Sequence, residues 1–127
     1  MTWQTPLILA STSPRRRELL LEAGISSIAV SPTIDDSVFS CGKMLPKEWV
    51  TTLAVLKARS VTTQSCKERG TVLAADTVCV VDGEVLGQPR DANEARAMIE
   101  SVLNRDHDVH TGWCLKTMDG LHSVHGC

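Results

Sequence analysis

Aromatic side chains are almost missing. The chain has no tyrosine, one phenylalanine and three tryptophans, so its core must be aliphatic, built from Leu, Val, Ala and Ile. Paired cysteines are missing too. Cys41, Cys66, Cys79, Cys114 and Cys127 are odd in number and scattered, with no CxxC, which argues against a disulfide framework or zinc knuckle and for reduced thiols in the cytoplasm. No apolar run approaches the length of a membrane span, and the N-terminus has no signal-peptide pattern. An excess of positive charge is absent as well. Thirteen Lys and Arg against fifteen Asp and Glu leave a formal net charge of -2, which removes any bulk attraction to nucleic acid. Walker, Rossmann and nucleophile-elbow patterns do not occur, nor do internal repeats.

What is present fits one globular α/β domain over residues 1–127, 43% of it hydrophobic. Leu7–Ala10 reads as a buried strand. Ser13 and Pro14 are an N-cap and first residue of a helix that stops at Gly24, with Leu19, Leu20 and Ala23 inward. Ile28–Val30 suits a short strand. Pro46 opens a second helix to about Thr63, with Val50, Leu53, Ala54, Ala58 and Val61 on an apolar stripe and Lys57 at its edge. "TVLAADTVCVVDGEVLG" predicts two strands about an Asp82-Gly83 turn. Asp91 and Glu94 form a capping-box-like start to a third helix, whose core face is Ala95, Met98, Ile99 and Val102. His107–Lys116 reads as a strand, Met118–Gly120 as a turn, and Leu121–Val124 as a stubby returning strand. An ending there leaves an edge uncovered and predicts an incomplete domain, with helix residues such as Leu53 and Met98 exposed.

Three features carry chemistry. In "LILASTSPRRREL" a strand passes through hydroxyls into a helix N-terminus, where free backbone N–H groups and the dipole favour an anion. Arg15, Arg16 and Arg17 oppose that dipole. They form either a two-pronged phosphate grip or a solvated helix face. Asp76 interrupts two apolar runs, as a metal ligand, a general base or a structural cap. The loop acids Asp35 and Asp36, helix-borne Lys57, and Arg90 in "LGQPRD" complete the ingredients of a magnesium-dependent phosphoryl site. His107 and His110, like His122 and His125, are three apart, which on strands puts them on opposite faces as structural residues.

Taken together, these stretches resemble the Maf family of nucleoside triphosphate pyrophosphatases. "LILASTSPRRRELL" resembles the family's opening signature, "LAADTVCVVDGEVLGQPRDANEARAMI" its central one and "HDVHTG" the stretch that follows. The resemblance is collinear from residue 7 to about 115. It implies a Maf/ITPase-like elongated mixed sheet flanked by helices, with a C-terminal part missing here. It also implies cleavage of a nucleoside triphosphate to the monophosphate and pyrophosphate, with Mg2+ or Mn2+. By the same resemblance Asp76 would be the water-activating base. Ser11, Arg15 and Arg16 would hold the triphosphate, and Lys57 would add charge. Either Asp35 or Asp36 would join Asp76 at the metal. Arg15 after the proline and Thr77 after the base resemble the branch acting on dTTP and UTP. Gln88 stands where the family usually has lysine, with Arg90 or Arg17 as compensating cations. The implied partners are a nucleoside triphosphate and a second copy in a homodimer, without nucleic acid or membrane. The rival expectation is a shortened, inactive relative that binds nucleotide weakly or pairs with an intact subunit.

Overall fold

Hydroxyl-rich turns, a proline-opened helix and a long apolar strand divide this chain. The computed structural model describes residues 6–34, 41–62, 66, 69–87 and 89–127. The order is β1 (Leu7–Ala10), α1 (Pro14–Glu22), β2 (Ser27–Val30), α2 (Pro46–Ser60), β3 (Thr71–Val81), β4 (Glu84–Leu86), α3 (Ala92–Val102), β5 (Asp108–Thr117) and β6 (Ser123–Gly126). Among the described residues six strands form one mixed sheet, ordered β2-β1-β3-β5-β6, with β4 also on β3. The chain therefore has the expected α/β mixed sheet flanked by helices.

Strand β3 organises the molecule. One edge pairs with antiparallel β5 from Thr71 to Val80. The other edge is shared: parallel β1 covers Thr71–Leu73, and antiparallel β4 covers Cys79–Val81. Between them Ala74–Val78 have no strand partner on that side among the described residues. The tight β3–β4 turn works because Asp82 and Gly83 both take positive φ, 52° and 79°, as a type I′ hairpin requires.

Helix α2 supplies the core. Val50, Leu53, Ala54 and Ala58 are buried on its inner face, and Ala54 and Ala58 pack with Ile8, Val72, Ala74 and Cys114 of the sheet. Each large side chain so buried contributes about 1.5–3 kcal/mol. The helix ends at Ser60, three residues short of expectation. Lys116 is buried just past that end, its Nζ 3.5 Å from the Val61 carbonyl, and desolvation lowers its pKa from the ordinary lysine value.

Two expected core faces are open instead. No residue of α1 is buried. Leu19 and Leu21 are 47% and 56% exposed, Ala23 is exposed, and Leu20 is half-buried. The sheet order explains this. Helix α1 connects β1 to the edge strand β2, so it lies over the margin of the sheet. Helix α3 is similar: Ala95, Met98 and Val102 are half-buried and Ile99 is exposed. Leu53, in contrast, is buried rather than uncovered.

The β5–β6 turn is held by Asp119, whose carboxylate accepts from the Thr117 hydroxyl and from the Leu121 amide at 2.9 Å. The Thr117 bond first, then the Leu121 bond, lower its pKa from the ordinary 3.8. A depressed carboxyl stabilises the fold above the unfolded value, and that contribution is lost as pH falls through the folded value. The Leu121 amide shift, followed by NMR, should therefore titrate with a midpoint below 3.8. A midpoint at or above that value would refute the assignment.

Candidate active site

The unpaired stretch of β3 is where the functional side chains gather. β1 leaves the sheet at Ala10, and its continuation turns through Ser11, Thr12 and Ser13 into α1. Buried Ser11 fixes this turn, accepting from the Ser13 amide at 3.0 Å. Ser13 then caps the helix, accepting from the Arg16 amide at 3.4 Å. Strand alternation turns Val72, Ala74 and Asp76 toward α2. There Lys57, one and two turns beyond Leu53 and Val50, meets the acid: Lys57 Nζ donates to Asp76 Oδ1 at 2.8 Å, each side chain 13% exposed. Burying an ion pair costs desolvation that attraction barely returns, so such a pair at a cavity wall reads as chemistry rather than stability.

The cavity has a volume of about 370 Å3, and Ser11, Ser13, Arg16, Lys57, Asp76 and Thr77 are among its lining residues. Among the described residues it combines a helix N-terminus, two cations, the four hydroxyls of Ser11, Thr12, Ser13 and Thr77, and one carboxylate. That is the chemistry of a polyanion site with a base beside it. A second, more open cavity of about 620 Å3 shares Ser11, Thr12 and Ser13, and Arg17 lines it.

A family model described as Maf-like protein matches residues 6–125. The chain belongs to the Maf family. It is 46% identical over 110 residues to a dTTP/UTP pyrophosphatase of Symbiobacterium thermophilum, covering 86% of this chain and 54% of that protein. A dTTP/UTP pyrophosphatase of Methylobacillus flagellatus is 40% identical over 116 residues, 91% of this chain and 57% of its own length. One from Pyrococcus abyssi is 43% identical over 109 residues, 86% and 55% respectively. This Maf chain thus spans about half the length of the relatives it matches. Among solved structures, a Mycobacterium abscessus nucleoside-triphosphatase / dITP/XTP pyrophosphatase gives a TM-score of 0.49 at 18% identity, covering 94% of this chain and 69% of that one.

The structure of this Maf chain brings together Ser11, Arg16, Lys57, Asp76 and Thr77. Arg15 goes elsewhere: its Nη1 lies 3.4 Å from Glu18 and 3.5 Å from Glu22, with the side chain 65% exposed. Consecutive helical residues point about 100° apart, so three successive arginines diverge from one another. Arg90 also stays outside, its Nε on Glu94 Oε2 at 2.9 Å and its side chain 88% exposed. Asp35, Asp36 and Gln88 lie outside the described residues.

Sequence reasoning passed over Thr111, whose Oγ1 lies 3.0 Å from Thr77 Oγ1. Thr111 lies within "HDVHTG", but nothing along the chain marks its partner, because β3–β5 register sets Thr111 opposite Thr77. Among the described residues no group of three or more His, Cys, Asp or Glu could hold a metal. Asp76, the one carboxylate lining the cavity among the described residues, nevertheless fits Mg2+, which binds through one or two carboxylates together with substrate phosphates.

Proposed function

We propose that this cavity binds the triphosphate of a nucleoside triphosphate and hydrolyses its α–β phosphoanhydride, with dTTP and UTP as the preferred substrates. The observation that carries this reading is the 2.8 Å Lys57–Asp76 pair set in one cavity with Arg16 and the capped N-terminus of α1. The matched relatives are dTTP/UTP pyrophosphatases, which supports the choice of nucleotide. The N-terminal end of α1, by its dipole, and the Arg16 guanidinium hold phosphate oxygens. Lys57 neutralises charge beside the scissile bond and orients the Asp76 carboxylate, which accepts the proton of the attacking water. Mg2+ or Mn2+, held by Asp76 with Asp35 or Asp36 and the phosphates, would supply further charge neutralisation. Ser11 keeps the turn in shape, and Thr77 holds Arg16.

A second reading, a nucleotide-binding partial domain without turnover, is favoured by the open apolar face of α1. Incubating the chain with dTTP, UTP, 7-methyl-GTP and dATP plus magnesium separates the two. Pyrophosphate released from dTTP and UTP ahead of the others supports hydrolysis. Nucleotide binding without release supports the second reading, and neither binding nor release rejects both.

The arginines separate in the same way. Arg16→Ala should weaken binding of inorganic tripolyphosphate at least tenfold by calorimetry, the loss of about one charge-assisted hydrogen bond or more. Arg15→Ala, which removes only exposed ion pairs, should change it less than threefold. Equal losses would mean that Arg15 swings to the anion.

A further inference from the structure

Arg16 is held differently from its neighbours. Arg15 and Arg90 lie against glutamates, whereas Arg16 Nη2 donates to the hydroxyl of Thr77 at 3.3 Å. Among the described residues no carboxylate pairs with it. A guanidinium held by a neutral oxygen is oriented without losing its net charge, which remains available to an anion. Thr77 is in turn held, its Oγ1 lying 3.0 Å from Thr111 Oγ1.

We infer that Thr111 is a positioning residue that fixes Arg16 over the cavity by way of Thr77, an inference that rests on the phosphate-binding reading of that cavity. The two threonines are directly opposed in the β3–β5 ladder, so the sheet itself sets the spacing of their oxygens. Opposed residues share a face of the sheet, and β-branched side chains are stiff at χ1. Whichever hydroxyl donates, the contact stops Thr77 from rotating freely and keeps a lone pair turned toward Arg16. The link also has a mechanical role. Helix α1 has no buried residue, so Arg16–Thr77–Thr111 is a polar tether joining its first turn to two central strands. The motifs around Asp76 and Thr111 lie far apart in sequence, and they act here as one cross-strand unit.

Three variants test this: Thr111→Val, Thr111→Ser and Thr77→Val. Thr111 is exposed and valine suits a strand, so Thr111→Val should fold with an unchanged far-UV spectrum. In the unliganded chain, amide hydrogen exchange across α1 should be about fivefold faster in Thr111→Val, the loss of roughly one net hydrogen bond. Magnesium tripolyphosphate should bind about fivefold more weakly. Thr111→Ser should restore both, and Thr77→Val combined with Thr111→Val should be no worse than Thr77→Val alone. Wild-type α1 exchange in Thr111→Val, or no rescue by serine, overturns the inference. If the wild-type chain binds no tripolyphosphate while Thr111→Val still loosens α1, the phosphate reading fails and the tether stands. If tripolyphosphate binds and Thr111→Val alters neither readout, the tether fails and the phosphate reading stands.

Discussion

Asp76→Asn is expected to cut pyrophosphate release by about 10²–10⁴-fold, the usual contribution of a positioned general base. The fold should survive. Asparagine keeps the size of the side chain and an oxygen for Lys57 Nζ, which now sits 2.8 Å from the carboxylate. The cost is about 1–2 kcal/mol, the difference between a charged and a neutral hydrogen bond. Binding should move the other way. Removing a negative charge from the cavity wall should tighten metal-free tripolyphosphate binding about tenfold, since one such interaction near a protein surface is worth a few kcal/mol before screening. A variant that lost rate and metal-free affinity together would show that Asp76 is structural, and one that kept its rate would place the base elsewhere.

Local chemistry was legible in the sequence. Ser13 before Pro14, Asp82 before Gly83, and Asp91 three residues before Glu94 each carry their own hydrogen-bonding or φ signature, and each starts or turns the element it predicts. The apolar stripe of α2 was legible for the same reason, and it delivered Lys57 to the cavity. Burial of α1 was not. Its leucines have helical spacing, but what covers a helix depends on sheet order, which placed α1 over an edge. The choice among Arg15, Arg16 and Arg17 was also hidden, because it depends on the angle at which α1 leaves Ser13. Cross-strand partners such as Thr77 and Thr111, 34 residues apart, follow from register, which no window along the chain contains.

Gly112→Ala should be strongly destabilising for the addition of a single methyl. Gly112 stands opposite Asp76 in the β3–β5 ladder, on the face that α2 covers. A Cβ there would fall on the backbone of Val50 and Thr51, so the absent side chain is what lets α2 rest directly on the sheet. At Gly126 the obstacle would be the Trp113 ring, which can turn aside, but at Gly112 no side chain can give way and the whole helix must rise. Overpacking of this kind costs about 1–3 kcal/mol or more, a fall in Tm of roughly 10 °C for a domain of this size. The same displacement would lift Lys57, two turns along the same face, away from Asp76. Tripolyphosphate binding should therefore weaken even at temperatures where the variant is folded. Gly87→Ala is the control, because nothing lies within 4 Å of the Cβ it would add, and its stability should stay within about 0.5 kcal/mol of wild type. A Gly112→Ala variant that melted with the wild type would show that α2 does not seat on β5 at this point. The placement of Lys57 beside the carboxylate would then lose its physical cause.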